Sequence, residues 1–162
     1  MWLGAHEVDD YVVRLVELLE RYGVVLSRPA QGAAIEVLEA DDGSLSFELI
    51  GQLPDGRLPA LASVEVREEF QPGEDGYRRT RYEFELIDRE RDFRRAFHLH
   101  FPEWFEREYL VVVHEHCERP MGEVRCAHYQ GSPIRDGYEG VRVLLEAWLA
   151  EPPDCVALHC LD

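Results

Sequence analysis

The chain has 162 residues, a length that favours one domain with a sizeable buried core. It carries 33 acidic residues against 17 basic ones, all of them arginine, for a formal net charge of −16. This acidity excludes a protein that holds nucleic acid through a broad basic surface, and it excludes a polybasic contact with anionic membranes.

The chain begins with a predicted helix and continues as predicted strands. Apolar residues recur at intervals of three and four over residues 7–22, which is typical of one helix face, and Gly23 is a stop signal. Turn signals such as Asp41-Asp42-Gly43 then separate segments in which apolar and polar residues alternate. We expect strands at 35–40, 44–53, 58–70, 79–87 and 92–100. Residues 35–100 are therefore predicted to form an antiparallel β-meander of about four to five strands.

The second half of the chain contains one ambiguous segment and one clear helix. Residues 109–117 fit a strand, because they contain three successive valines, but they also fit a helix face. A short helix is expected before them, at 102–108, and a loop after them. Asp136 is a capping residue for a helix over 137–150. The sequence thus predicts one α+β domain over 1–162, in which the meander packs against an N-terminal and a C-terminal helix.

The first residues, the apolar runs and the cysteines of the chain indicate in which cellular compartment it is expected. The first ten residues have neither the positive region nor the apolar stretch of a secretory signal, and no apolar run is long enough to cross a bilayer. We therefore expect a cytoplasmic protein without a membrane contact. Four cysteines in such a protein are expected to be thiols or metal ligands rather than disulfides.

Histidine and cysteine are concentrated in one segment, residues 98–128, which holds five of the seven histidines and two of the four cysteines. They form the motifs His98-Leu-His100, His114-Glu-His116-Cys117 and Cys126-Ala-His128. Residues two apart point to the same face of a strand, but they diverge on a helix. The two histidines of each pair can therefore act together only if their segment is a strand.

Two roles follow from these residue types. Imidazoles can transfer protons or bind a metal, so the candidate catalytic residues are His98, His100, His114 and His116. Imidazole and thiolate together suit zinc best, or another divalent metal, and the candidate metal ligands are His114, His116, Cys117, Cys126 and His128. The competing interpretation is that each residue is structural, with hydrogen-bonded histidines and buried cysteines.

Arginine is concentrated just before the histidines. Residues 78–100 hold seven arginines and five acidic residues, a net charge of +2 in an otherwise acidic chain. Arginine suits phosphate, so Arg94 and Arg95 are candidate anion-binding residues beside His98. The alternative is that these arginines pair across strands with nearby acidic residues, which include Glu83, Glu85 and Asp88.

From residue 35 onward the order of motifs resembles the TumE-type toxins of prokaryotic toxin–antitoxin pairs. The similar segments are IEVLEADDGSLSFELIGQLPDGRLPALASVEVREEF, RTRYEFELID, the two histidine pairs and the closing helix over 136–150. In place of the family's Arg-x-Asp-Asn before the first histidine pair, this chain reads RRAFHLH. The resemblance implies an RNA-directed or otherwise growth-inhibiting toxin with a cognate antitoxin as partner.

Two functions are therefore predicted. The first is a toxin-like phosphodiester hydrolase that depends on histidine or on a metal. The second is a zinc-stabilised module that binds a partner protein without catalysis. The acidic ends of the chain favour a partner with a basic face.

Overall fold

The computed structural model describes residues 2–27, 35–53, 62–99, 113–122, 124–126 and 136–150. In chain order the elements are β1 (Trp2–Leu3), α1 (Ala5–Arg21), β2 (Val25–Leu26), β3 (Leu38–Glu39), β4 (Leu45–Gln52), β5 (Ala62–Gly73), β6 (Gly76–Asp88), β7 (Phe93–Leu99), β8 (Val113–Glu118), β9 (Val124–Cys126) and α2 (Gly137–Leu149). The predicted α+β class and both terminal helices are confirmed. Neither described helix is long and apolar enough to cross a membrane.

The strands of the described part form one antiparallel sheet in the order β2-β4-β5-β6-β7-β8-β9, with β3 beside β4 and β1 beside β6. Its centre is the hairpin of β5 and β6, which are 12 and 13 residues long. The strand number exceeds the predicted four to five because β8 comes from the segment that was ambiguous, and because β1, β2 and β9 have only two or three residues. Such short strands carry no periodic signal in the sequence.

Strand alternation gives the sheet two chemically different faces. On the core face β4 to β7 place buried apolar side chains, including Leu49, Val66, Phe84 and Phe97. Helices α1 and α2 add their apolar sides to the same core. On the outer face the same strands carry mostly charged residues, and these positions are largely half-buried.

The C-terminal end of α2 is fixed to the turn between β6 and β7. Asp88 accepts hydrogen bonds from Trp148 Nε1 at 3.0 Å and from Arg91 Nε at 2.5 Å. The Arg91 guanidinium also donates to the Trp148 carbonyl at 3.0 Å. The backbone N–H of Arg91 donates to the same carboxylate at 3.0 Å. One carboxylate thereby joins a turn to a helix end.

The start of α2 is fixed at a buried polar contact that we call the Glu68 junction, formed by Tyr11, Glu68, Arg79 and Gly137. The Tyr11 hydroxyl donates to Glu68 and accepts from the Gly137 N–H at 2.6 Å, while Arg79 lies 3.4 Å from Glu68. A Cβ atom at Gly137 would lie 2.5 Å from both the Tyr11 hydroxyl and the Glu68 carboxylate. Any larger residue at this position would therefore displace the Tyr11 hydroxyl and the Glu68 carboxylate from their contacts.

Glu68 is a carboxyl group with almost no contact with solvent. Burial raises its pKa to about 7, although Arg79 and the Tyr11 hydroxyl act in the opposite direction. Burial and the adjacent Glu68 also raise the pKa of Tyr11, so its hydroxyl keeps its proton and remains a donor.

Glu68→Gln is predicted to remove a pH dependence of stability. The pKa of Glu68 is about 7 in the folded protein against an ordinary 4.5, so the folded state keeps a proton that the unfolded state releases. The wild type should lose stability relative to the variant as pH rises from 4.5 to about 7, by on the order of 3 kcal/mol. Urea unfolding across this pH range measures the difference. Glu69→Gln, at the next position of β5 and on the outer face, is the matched control. Its free energy of unfolding should depend on pH as that of the wild type does. If the free energies of Glu68→Gln and the wild type change in parallel with pH, the prediction is wrong.

Candidate functional site

The candidate site lies where β7 pairs with β8. The antiparallel register sets His98 opposite His114, Ala96 opposite His116 and Arg94 opposite Glu118. Of the two alternatives for the ambiguous segment, strand is therefore correct for 113–117, while 109–112 and the expected helix at 102–108 lie outside the described residues. His98 and His116 face the same side of the sheet, with ring centroids 5.1 Å apart.

Charged side chains surround these histidines on the outer face. Arg94 donates to Glu85 at 2.5 Å and to Glu118 at 2.7 Å. The same Glu118 oxygen lies 3.3 Å from His116 Nδ1. We call Glu85, Arg94, His98, His116 and Glu118 the outer-face cluster.

The electrostatics of the cluster favour a neutral imidazole at His116. Burial and the neighbouring Arg94 lower the pKa of His116, although Glu118 and Glu85 act in the opposite direction. Burial alone would raise the pKa of Glu118. Two contacts outweigh burial and hold that pKa below its usual range: the Gly122 N–H, which donates to Glu118 at 3.0 Å, and the guanidinium of Arg94. Glu118 is thus ionised beside a histidine that is uncharged at neutral pH.

The predicted anion-binding pair is not formed. Arg95 follows Arg94 along β7, so it points to the core face, where it is fully buried and lies 3.7 Å from Glu115. The two guanidinium groups therefore cannot hold one anion. Arg94 is itself paired with two glutamates, as the alternative of cross-strand ion pairs predicted.

The predicted metal ligands are divided in the same way. His116 and Cys117 are neighbours on one strand, so their side chains leave opposite faces and cannot share an ion. Cys117 is disulfide-bonded, and it could bind zinc only after reduction. The expectation of thiols or metal ligands is therefore wrong for Cys117.

The rest of the predicted cluster is only partly described. The backbones of His114 and Cys126 lie in β8 and β9, whereas His100 and His128 lie outside the described residues. Within the described part of the chain, no group of three or more histidine, cysteine, aspartate or glutamate residues is arranged to hold a metal.

Two members of the cluster were missed at the sequence level. Glu118 follows His114 and His116 at the same interval of two, so strand alternation would have placed it on their face. Glu85 was considered only as a partner that neutralises arginine. Both glutamates control the charge around His116, Glu118 by contact and Glu85 through Arg94.

No protein-family model matches the chain, and neither does any curated protein or solved structure. The resemblance to TumE-type toxins therefore stays a prediction.

Substitutions at Glu118 and Arg94 are predicted to shift the pKa of His116 in opposite directions. Glu118→Gln removes a neighbouring negative charge and should lower that pKa further, whereas Arg94→Gln removes a positive charge and should raise it. Titration of the imidazole resonances by NMR measures both shifts.

Glu48→Gln is the control for this titration, because Glu48 lies on the outer face of β4 and pairs with Arg67. It should leave the pKa of His116 unchanged. Shifts of the same sign in Glu118→Gln and Arg94→Gln would overturn the assigned contacts.

Proposed function

We propose that this chain is a toxin-like phosphodiester hydrolase that depends on histidine, with His98 and His116 as its proton-transfer groups. The observation that carries the proposal is the pair of imidazoles on one face, with centroids 5.1 Å apart. Two histidines at this separation can serve one reacting centre, one as base and one as acid.

In the proposed step a neutral His116 takes a proton from a water molecule, whose oxygen bonds to phosphorus. The bond between phosphorus and the leaving oxygen breaks, and a protonated His98 donates a proton to that oxygen. The Nδ1 atom of His116 lies beside Glu118, so we assign Nε2 to proton transfer. His100 and His114 remain candidates for assisting this chemistry. A zinc or other divalent ion on these histidines would supply a polarised water instead.

Arg94 has a positioning role in this proposal. It is clamped between Glu85 and Glu118, so it orients Glu118 against His116 and does not hold phosphate directly. With His98 protonated and His116 neutral, as the step requires, the two glutamates balance Arg94 and His98, and the cluster carries no excess of positive charge. A substrate contact limited to a short scissile segment fits this charge better than a long polyanion does.

Hydrolysis by the purified protein is predicted to depend on both histidines. With ribo- and deoxyribo-oligonucleotides as substrates, His98→Ala and His116→Ala should each lower the cleavage rate by about 10²-fold or more. His6→Ala, at an exposed position of α1, is the matched control and should cleave like the wild type. Repeating the assay with a strong chelator separates metal-dependent from metal-free chemistry. Intact substrates with the wild type, or wild-type rates in both variants, would exclude the hydrolase.

A second candidate, binding of a partner protein with a basic face, is favoured by the charge of the outer face. The described outer-face positions of β4 to β8 carry more glutamates than arginines: Glu48, Glu65, Glu69, Glu83, Glu85 and Glu118 against Arg67, Arg78, Arg81 and Arg94. Arg67, Arg81 and Arg94 each contact at least two of these carboxylates. The excess of negative charge would meet a basic surface, such as that of a cognate antitoxin.

The zinc-stabilised form of this second candidate needs Cys117 as a ligand. It therefore applies only to the reduced protein, since Cys117 is disulfide-bonded in the structure. A chelator that leaves the Tm of the reduced protein unchanged would exclude structural zinc.

A further inference from the structure

The disulfide of Cys117 lies at the last strand pair of the sheet. The other cysteines of the chain are Cys126, Cys155 and Cys160. The register between β8 and β9 sets Cys126 directly opposite Cys117. Directly opposed residues of antiparallel strands have Cα atoms about 4.5–5.5 Å apart, within the range that a disulfide spans.

We infer that Cys117 is bonded to Cys126 and that this bond is a reducible clasp that holds β9 against β8. The inference does not depend on the proposed hydrolase activity. It assigns a regulatory chemistry, thiol–disulfide exchange, to the edge of the sheet next to the outer-face cluster.

Strand β9 has little backbone pairing of its own. It contains three residues, it makes two register pairs with β8, and the register shifts between Cys117 and Glu118. A covalent bond at one of these two pairs would therefore be a main restraint that keeps β9 paired with β8. The bond closes a short loop, residues 118–125, which limits the motion of everything inside it.

Glu118 is the first residue of this loop. It accepts a hydrogen bond from the Gly122 N–H at 3.0 Å and also contacts Arg94 at 2.7 Å and His116 at 3.3 Å. Opening the clasp would loosen the turn that holds Glu118 in place. The redox state of Cys117 is thereby coupled to the outer-face cluster, although the cysteine itself belongs to the opposite face.

The surroundings of Cys117 favour its release as a thiolate. The guanidinium of Arg95 lies 4.0 Å from Cys117 Sγ, and a nearby cation stabilises a thiolate. A more stable thiolate is a better leaving group in thiol–disulfide exchange. Since Cys117 is fully buried, we assign it as the leaving sulfur.

The exchange needs a dithiol as reductant. One thiolate of the reductant attacks the disulfide, the bond between the two cysteine sulfurs breaks, and Cys117 leaves with the electron pair. The second thiolate of the reductant then displaces the other cysteine sulfur from the mixed disulfide. The reductant becomes a cyclic disulfide, and its two protons end on the two cysteine thiols.

Peptide mapping without reduction tests the connectivity. Trypsin cuts after Arg125 but not between Arg119 and Pro120. Cys117 therefore lies in peptide 108–125 and Cys126 in peptide 126–135. Cys155 and Cys160 lie together in peptide 143–162. The inference predicts that 108–125 and 126–135 are recovered as one linked species that dithiothreitol separates. A link from 108–125 to 143–162, or an alkylated Cys117 before reduction, would overturn it.

Hydrogen exchange of the full chain tests the clasp. Addition of dithiothreitol should speed amide exchange about tenfold or more in 118–126, and should leave the central strands β5 and β6 unchanged. The double variant Cys155→Ser/Cys160→Ser keeps the inferred bond and should respond like the wild type. Exchange in 118–126 that is the same before and after reduction, with the bond shown to be broken, would refute a clasp.

Discussion

The register between β7 and β8 is the constraint on which the candidate site depends. Side chains alternate along a strand, so a shift of the register by one residue would move one strand's members of the outer-face cluster to the opposite face of the sheet. The register is fixed by burial on both faces: Phe97 and Cys117 are buried on the core face, while Ala96 is fully buried on the outer face. His98 is only 9% exposed there. The strand pairing and the packing of these neighbours therefore hold the two imidazoles side by side.

Ionisable groups buried on the core face of the sheet attach distant segments to one another. A buried polar or charged group is costly unless it is paired, and the three that follow each meet a specific partner. Glu68 joins Tyr11 and Arg79, Asp88 joins Arg91 and Trp148, and Arg95 faces Glu115. The first two contacts attach the two ends of α2 to the sheet. The same kind of ionic contact on the outer face sets the charge around His116.

Elements with a strong period could be predicted from the sequence, and contacts between distant segments could not. The alternation over 79–87 and 92–100 predicted β6 and β7, and Asp136 marked the start of α2. The strands β1 and β2 have two residues each and pair with distant residues, and β9 has only three, so no local pattern indicates them. Arg94 and Arg95 were both predicted to bind an anion because arginine suits phosphate, yet adjacent residues on a strand point to opposite faces. The disulfide of Cys117 was not predicted, because a cytoplasmic protein is expected to keep its cysteines as thiols or metal ligands.

His98 and His116 lie side by side on one face of the β7–β8 pair, and the candidate site depends on this placement. Nuclear Overhauser measurements on isotopically labelled protein detect it. We expect a cross-peak between the two imidazole rings, whose centroids are 5.1 Å apart, and backbone contacts between His98 and His114. Backbone contacts that pair His98 with the residue before or after His114, together with no cross-peak between the rings, would contradict this placement.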